Sequence, residues 1–213
     1  MPRPSIPILS GDRIRTVALD IIDREGLDGL SMRKLAAELG VRAPSLYGHV
    51  ATKDDLLGEI ANKVLEQVDV SGFEEGDWRR GLVESARSYR AALSQHPNIV
   101  PFLAYGPAGR DTSLRRLDVM HGALVEAGWP RRHATMIAAS LMYLVFGAAL
   151  STFSSGFSVD AADYQGRYPH LDKAHLLAAV AEELDRDSFE LALRAFVEGL
   201  ELLRVSADLE VRE

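Results

Sequence analysis

Residues 30–57, LSMRKLAAELGVRAPSLYGHVATKDDLL, decide the fold of this chain. Ser31 is a typical N-cap, and Gly40 a typical C-terminal stop, for a short helix between them. A second short helix is expected from Ala43, with Pro44 in its first turn. Two helices of this length, joined by a turn that contains a glycine, are typical of a helix-turn-helix. Such a unit presents its second helix to the major groove of DNA.

Helical patterns flank this motif on both sides. Before it, apolar residues from Ile14 to Ile22 recur at helical spacing, and Gly26 ends their helix. After it, Thr52 and Asp55 form a capping-box pattern at the start of a fourth helix over residues 54–68. The sequence therefore predicts an N-terminal three-helix bundle that contains the helix-turn-helix, joined by the fourth helix to the remaining chain.

The remainder of the chain also has a helical pattern. Residues 69–76 are polar and break the periodicity, and the prolines and glycines of residues 98–110 allow only a short irregular helix. The last helix has an apolar stripe made of Phe189, Leu193, Phe196, Leu200 and Leu203. We predict an all-α protein with a DNA-binding domain at residues 1–53 and a larger helical effector-binding and dimerisation domain at residues 54–213.

Composition and charge narrow the function classes. The 213 residues include no cysteine, which excludes disulfides, thiolate metal sites and a cysteine nucleophile. The net charge is −7, but residues 1–53 carry eight Lys/Arg against six Asp/Glu. A basic head on an acidic body is consistent with a small DNA-reading module. Prolines in the first residues interrupt any export signal, so we expect a cytoplasmic protein.

One segment leaves two interpretations open. Residues 134–159 carry no charged side chain, and two arginines precede them, which meets the length criterion for a membrane span. The same pattern describes a helix buried in a protein core or in a dimer interface. Because the segment is rich in Ala, Ser, Thr and Gly, we expect a buried helix and no membrane partner.

The run from Gly40 to Leu57, with its Leu46-Tyr47 and His49-Val50 pairs, resembles the N-terminal domain of the TetR family of bacterial repressors. Trp78, Arg90 and His96 resemble residues of the subgroup with a tetracycline-repressor-type C-terminal domain. The resemblance implies a homodimeric, DNA-binding transcriptional repressor that reads a palindromic operator. It also implies that the uncharged helix and the last helix pair with their copies as a four-helix bundle.

The resemblance assigns DNA contacts to residues of the head. They are Arg33, Arg42, Ala43, Pro44, Ser45, Tyr47, His49, Thr52 and Lys53. Arginines can pair with phosphate or with a guanine edge, while Tyr47, His49 and the start of the fourth helix can donate to phosphates. Many family members have a glutamine where Ala43 stands, so contact with a thymine methyl is expected there instead.

An apolar pocket with a few polar groups is expected in the body of the chain, as small-molecule sites usually are. Its candidate residues are Ser85, Tyr89, Phe102, Tyr105, Leu117, Met120, His121, Leu124 and Tyr143. They favour a lipophilic or aromatic effector whose binding releases DNA. Family members that bind tetracycline through magnesium use a histidine in a segment that here, at residues 98–105, has none. We therefore predict no metal and no cofactor.

Other function classes have less support. A constitutive DNA-binding protein without an effector is the main alternative, and a membrane-attached helical protein is a weaker one. The sequence has no phosphate-binding loop, dinucleotide fingerprint, zinc-protease motif or nucleophile elbow, and its six histidines are scattered. We therefore predict that the protein is not an enzyme.

Overall fold

The structure, a computed structural model, describes residues 9–105, 111–151 and 153–210, and every regular element in these ranges is helical. This confirms the all-α prediction. Short 3-10 turns link several of the helices, most extensively at Ala174–Val180. The α-helices of the described ranges are α1 (Gly11–Glu25), α2 (Met32–Leu39), α3 (Ala43–Leu46), α4 (Lys53–Leu65), α5 (Trp78–Gln95), α6 (Val100–Tyr105), α7 (Asp111–Glu126), α8 (Arg131–Leu150) and α9 (Ala181–Glu210).

The chain packs as two compact units. The first comprises Met1–Val68 and Ala91–Arg116, and the second comprises Asp69–Arg90 and Leu117–Glu213. Helices α5 and α7 each contribute residues to both units. This division follows packing, whereas the boundary at residue 53 separates functions and stays a prediction.

Most helix ends of the head lie where the sequence predicts, but α4 ends at Leu65 and not at residue 68. Ser31 is the N-cap of α2, and its Oγ accepts a hydrogen bond of 3.2 Å from the Lys34 amide. Gly40 ends α2 at a φ of 70°, a left-handed conformation in which glycine is favoured because it has no Cβ. Gly26 ends α1 at a φ of 76°. Thr52 is the N-cap of α4, and its hydroxyl accepts from the Asp55 amide at 3.0 Å, which is one half of the predicted capping box.

Apolar residues from all four helices form the core of the head. Leu46 is the one buried residue of α3 and has no exposed surface. Helix α3 is a single turn, shorter than the two turns expected for a recognition helix, and residues 47–49 continue as a turn. Gly48 explains this, because glycine costs about 1 kcal/mol relative to alanine in a helix. The buried side chains of the other helices include Ile14, Ile21, Ile22, Leu35, Leu56 and Ile60.

Helix α8 is covered by its own chain on one side only, and the expected burial of its other side in a dimer interface stays a prediction. Only 28% of the residues in the most apolar 18-residue stretch of this helix are buried. The buried residues of the helix are Ala134, Ile137, Ala138, Leu141 and Val145. Within the described residues, α8 is the single helix long and apolar enough to cross a membrane. Because α8 is apolar on all sides, its sequence has no period that indicates which face packs against its own chain.

Helix α9 follows its predicted stripe over most of its length. Phe189, Leu193 and Leu200 are buried, and Phe196 is half-buried. Leu203 is 62% exposed, so its own chain does not cover this end of the predicted apolar stripe. It lies beside Leu202 on an exposed apolar surface at the far end of the helix.

Ion pairs fix α9 to the first part of α5. Arg87 donates three hydrogen bonds to the two oxygens of the Glu190 carboxylate, at 2.6, 3.0 and 3.2 Å. The hydrogen bonds from Arg87 lower the pKa of Glu190, although partial burial acts in the opposite direction. Arg79 pairs with Glu201, whose pKa it also lowers. The Arg90 guanidinium lies 4.8 Å from the centre of the Phe189 ring.

Candidate nucleic-acid interface and effector site

The residues predicted to contact DNA surround the single turn of α3. Arg42 is the residue before α3, in an extended conformation with φ −84° and ψ 143°. The Leu46 side chain anchors the turn in the core, which leaves the outward side chains free to meet a ligand. Most of the predicted residues are exposed, namely Arg33, Arg42, Pro44, Ser45, Tyr47, His49 and Thr52, while Ala43 and Lys53 are half-buried.

Several positively charged side chains of helices α1, α2 and α4 form ion pairs with carboxylates of the same three helices. Arg15 pairs with Glu59 at 2.9 Å, and Arg24 pairs with Glu38 at 2.7 Å. Lys63 donates to Asp12 at 2.9 Å. These pairs fasten helices to one another and reduce the charge that each cation offers to a ligand.

Lys34 lies beside Arg33 on α2 but is paired in the same way. Its ammonium bonds to the Glu25 carboxylate, and this hydrogen bond lowers the pKa of Glu25. By contrast, Arg33 and Arg42 make no ion pair or side-chain hydrogen bond with any residue in the described part of the chain. The helix-turn-helix therefore carries two exposed, unpaired guanidinium groups, one in the first turn of α2 and one directly before α3.

Thr52 and Lys53 have structural roles that limit how they can contact DNA. The Thr52 hydroxyl donates to Asp55 Oδ2 at 2.8 Å and accepts from the Asp55 amide at 3.0 Å. Lys53 Nζ donates to the Leu27 carbonyl at 3.3 Å. The Thr52 hydroxyl already donates its proton to Asp55, so it is not available to a phosphate. The backbone amides at the start of α4 are therefore the better donors to a phosphate in this segment.

The candidate effector residues of the second unit differ in exposure. Ser85 is buried, and its hydroxyl donates to the Leu82 carbonyl at 3.3 Å. Met120 and Leu124 are also buried, which places two apolar side chains on one side of α7. Tyr89 is half-buried, with its ring 5.6 Å from that of Phe146 in an edge-to-face arrangement. These four residues combine apolar surface with two hydroxyl groups, those of Ser85 and Tyr89, and their part in effector binding stays a prediction.

The other candidates are more accessible. His121 Nε2 lies 3.2 Å from the Arg131 carbonyl, and Leu117 is 44% exposed. Leu114, one turn before Leu117 on α7, is 52% exposed. In the first unit, Phe102 is half-buried and Tyr105 is 81% exposed.

Tyr143 lies in an open groove on the exposed face between α8 and α9. This groove has a volume of about 300 Å³, and Phe153 and Phe189 also line it. A second groove of about 620 Å³ lies further along the same two helices, lined by Trp129, Met136 and Ser140 on one side and Ala195 and Gly199 on the other. Small residues spaced three and four apart on α9, namely Ser188, Ala192, Ala195 and Gly199, are the sequence signal of this surface, which we call the α8–α9 face.

No group of three or more His, Asp or Glu residues in the described ranges is arranged to hold a metal ion.

Two family models match the chain. The model described as bacterial regulatory proteins, tetR family, matches residues 14–60, which include the helix-turn-helix. The model described as tetracyclin repressor-like, C-terminal domain, matches residues 73–204. Together the two models span the candidate DNA-binding and effector-binding residues.

Individual relatives agree with the family models. An HTH-type transcriptional regulator of Saccharopolyspora erythraea is 34% identical over 178 residues, which are 84% of this chain and 70% of the relative. The crystal structure of a possible TetR family transcriptional regulator from Streptomyces coelicolor A3(2) has a TM-score of 0.75 and 30% identity, over 91% of this chain and all of that one. ActR of Streptomyces coelicolor, solved in complex with actinorhodin, has a TM-score of 0.72 and 28% identity, over 92% of this chain and 98% of its own.

Proposed function

Because the chain belongs to the TetR family of bacterial transcriptional regulators, we propose that it is a homodimeric repressor released from its operator by a small lipophilic or aromatic effector. The observation that carries the DNA-binding part is the pair of exposed, unpaired arginines of the helix-turn-helix, Arg33 in the first turn of α2 and Arg42 directly before α3. Residues 1–53 read the DNA, and residues 54–213 bind the effector and dimerise.

The α8–α9 face supports the dimer. It exposes Met136 and Tyr143 on α8 together with Leu202 and Leu203 on α9. Burial of large apolar side chains in a second copy of the chain stabilises a dimer by about 25 cal/mol per Å² of apolar surface. A dimer also presents two recognition helices about 34–36 Å apart, the spacing of successive major grooves on one side of the duplex.

The character of the candidate pocket supports an aromatic or lipophilic effector. Ser85, Met120 and Leu124 offer apolar surface and one hydroxyl, and ActR, a relative of similar length, was solved with actinorhodin bound. The effector acts by a population shift, since it releases DNA only if it binds better to an arrangement whose recognition helices are wrongly spaced. We also propose that the protein acts in the cytoplasm by binding DNA and effector, that it catalyses no reaction and that it has no membrane partner.

Replacing Leu117 with alanine should weaken the response to an effector and leave DNA affinity unchanged. Loss of most of an apolar side chain from a pocket reduces binding about tenfold. The measurement is release of a fluorescently labelled operator during titration with a series of planar polycyclic aromatic probes. Leu114→Ala is the matched control, because Leu114 is a similarly exposed leucine on α7 outside the candidate set. If aromatic probes bind the protein but none releases DNA, the effector part of the proposal is wrong.

A constitutive DNA-binding protein is the second candidate function. The exposed arginines of the head fit both functions equally well. Only effector binding at the candidate pocket distinguishes an effector-released repressor from a constitutive DNA-binding protein. Operator affinity that no bound small molecule changes would favour it.

A further inference from the structure

The C-terminal end of α4 is not capped by a cation of the same helix. The last four carbonyls of a helix have no partner within it, and a positive charge is favoured beside them. Lys63 lies in the last turn of α4, but its ammonium donates to Asp12 and Thr16 of α1, each at 2.9 Å. The residue that follows the helix is Glu66, whose negative charge is unfavourable at this end. The carbonyl end of α4 is therefore suited to a cation from elsewhere in the chain.

Arg116 of α7 supplies this cation. Its guanidinium nitrogen Nη1 donates to the carbonyl oxygen of Leu65, the last residue of α4. The same oxygen accepts from the Val68 amide at 3.1 Å, so both of its lone pairs are used. Because Leu65 has almost no exposed surface, water does not compete for its carbonyl, and a charged donor makes a stronger bond than a neutral one. The bond therefore fastens the C-terminal end of α4 to α7.

Helix α7 carries Arg116 beside candidate effector residues. Leu117 follows Arg116 directly, and Met120 lies one turn further along the same helix. Arg116 belongs to the compact unit that contains the head, whereas Leu117 and Met120 belong to the second unit. A displacement of α7 by an effector would therefore move Arg116, since the helix is continuous, and Arg116 would move the end of α4 that it holds.

In the proposed function, the opposite end of α4 meets DNA. The first backbone amides after the N-cap Thr52 are the phosphate donors of this segment. Helix α4 has 13 residues. At a rise of 1.5 Å per residue, these amides lie about 20 Å from the carbonyl that Arg116 holds. Because a helix moves as a rigid element, displacement of its C-terminal end changes where its N-terminal amides lie.

We propose that Arg116 is a positioning residue of the repressor, whose bond to the Leu65 carbonyl holds α4 in the DNA-binding arrangement and transmits the effector's displacement of α7 to α4. The inference rests on the proposed function, since it requires an operator and an effector. In this role Arg116 contacts neither ligand. Its removal should leave effector binding intact and uncouple this binding from the release of DNA.

Four variants test this inference. Arg116→Met keeps the apolar stem and removes every donor, and Arg116→Gln removes the charge but stays polar, in case methionine prevents folding. Arg116→Lys keeps a charged donor. The control Arg115→Met removes the same charge from the adjacent, exposed position of α7.

Two affinities are measured for each protein. Anisotropy of a labelled operator, selected from random duplex DNA, gives the operator affinity with and without the planar polycyclic aromatic probe that releases the unmodified chain. The ratio of these two operator affinities is the release factor. Calorimetry gives the affinity of the DNA-free protein for the same probe, and thermal unfolding shows which variants fold.

Loss of the charged donor should weaken both operator binding and release. Arg116→Met and Arg116→Gln should bind the operator about threefold to tenfold more weakly, because α4 is no longer held in the DNA-binding arrangement. Their release factor should fall by about tenfold, while their affinity for the probe stays within about twofold. Arg116→Lys should recover most of both losses, and Arg115→Met should match the unmodified chain.

Two results would overturn the inference. A contact that only stabilises the fold lowers the unfolding midpoint and leaves the release factor unchanged, so an unchanged release factor in whichever neutral variant folds shows that Arg116 transmits nothing. A salt dependence of operator binding reduced by about one ion would show that Arg116 contacts a phosphate instead. If no bound probe releases the unmodified chain, the effector part of the proposed function is wrong and the inference fails with it, a result seen before any variant is compared.

Discussion

Replacement of Ala195 with glutamate is expected to convert the protein to a monomer and to weaken operator binding about a hundredfold or more. Ala195 is exposed and lines the larger groove of the α8–α9 face. In the proposed dimer the partner covers this residue, so the new carboxylate would be buried without a counter-charge. This burial would make the free energy of dimerisation less favourable by several kcal/mol. A monomer binds only one half-site and loses the gain from linking two.

Light scattering after size exclusion measures the mass, and anisotropy of a labelled operator measures the affinity. Ala91→Glu is the matched control, since Ala91 is an exposed alanine on α5 outside the α8–α9 face. It should remain dimeric and bind DNA normally. A dimeric Ala195→Glu variant with unchanged operator affinity would show that the α8–α9 face is not the interface.

Replacement of Leu46 with alanine should destabilise the head by about 2–5 kcal/mol and abolish specific DNA binding. Leu46 is the only buried residue of α3, and it has no exposed surface. Its removal leaves a cavity under the recognition turn. The carbonyl of the same residue accepts from the amides of His49 and Val50, at 2.9 and 3.0 Å, so the turn that follows depends on its position.

Chemical denaturation followed by circular dichroism measures the change in the free energy of unfolding. Ser45→Ala is the control, because Ser45 is adjacent to Leu46 and exposed. This control should change stability by less than about 0.5 kcal/mol. If Leu46→Ala were as stable as the unmodified chain, the description of α3 as a turn anchored by one side chain would be wrong.

The parts of the fold that follow from the sequence are those decided by local interactions. Ser31, Gly40 and Thr52 act on backbone groups within four residues, so their positions alone predict the ends of α2 and the start of α4. The apolar period of α1 and α4 likewise predicts which side chains are buried. Gly48 is a local signal as well, and its low helix propensity accounts for the short α3.

The parts that do not follow depend on distant residues or on a second chain. The pairing of Arg79 with Glu201 joins residues 122 positions apart, and no local pattern indicates it. The exposed side of α8 could not be predicted because the helix has apolar residues on all faces. Tyr143 illustrates the consequence, since the sequence places it in the effector pocket and the structure places it on the α8–α9 face, 76% exposed. Its part in effector binding stays a prediction.

In the proposed function, two copies of the chain read a palindromic operator through the region around α3. Selection of the purified protein on random duplex DNA at near-physiological salt tests it most directly, with the stoichiometry of the selected complex measured on the same material. We expect an enriched palindrome whose half-sites are about one helical turn apart and which two chains bind. Weak binding without sequence enrichment that disappears as salt is raised would contradict it, because charge attraction alone produces that behaviour.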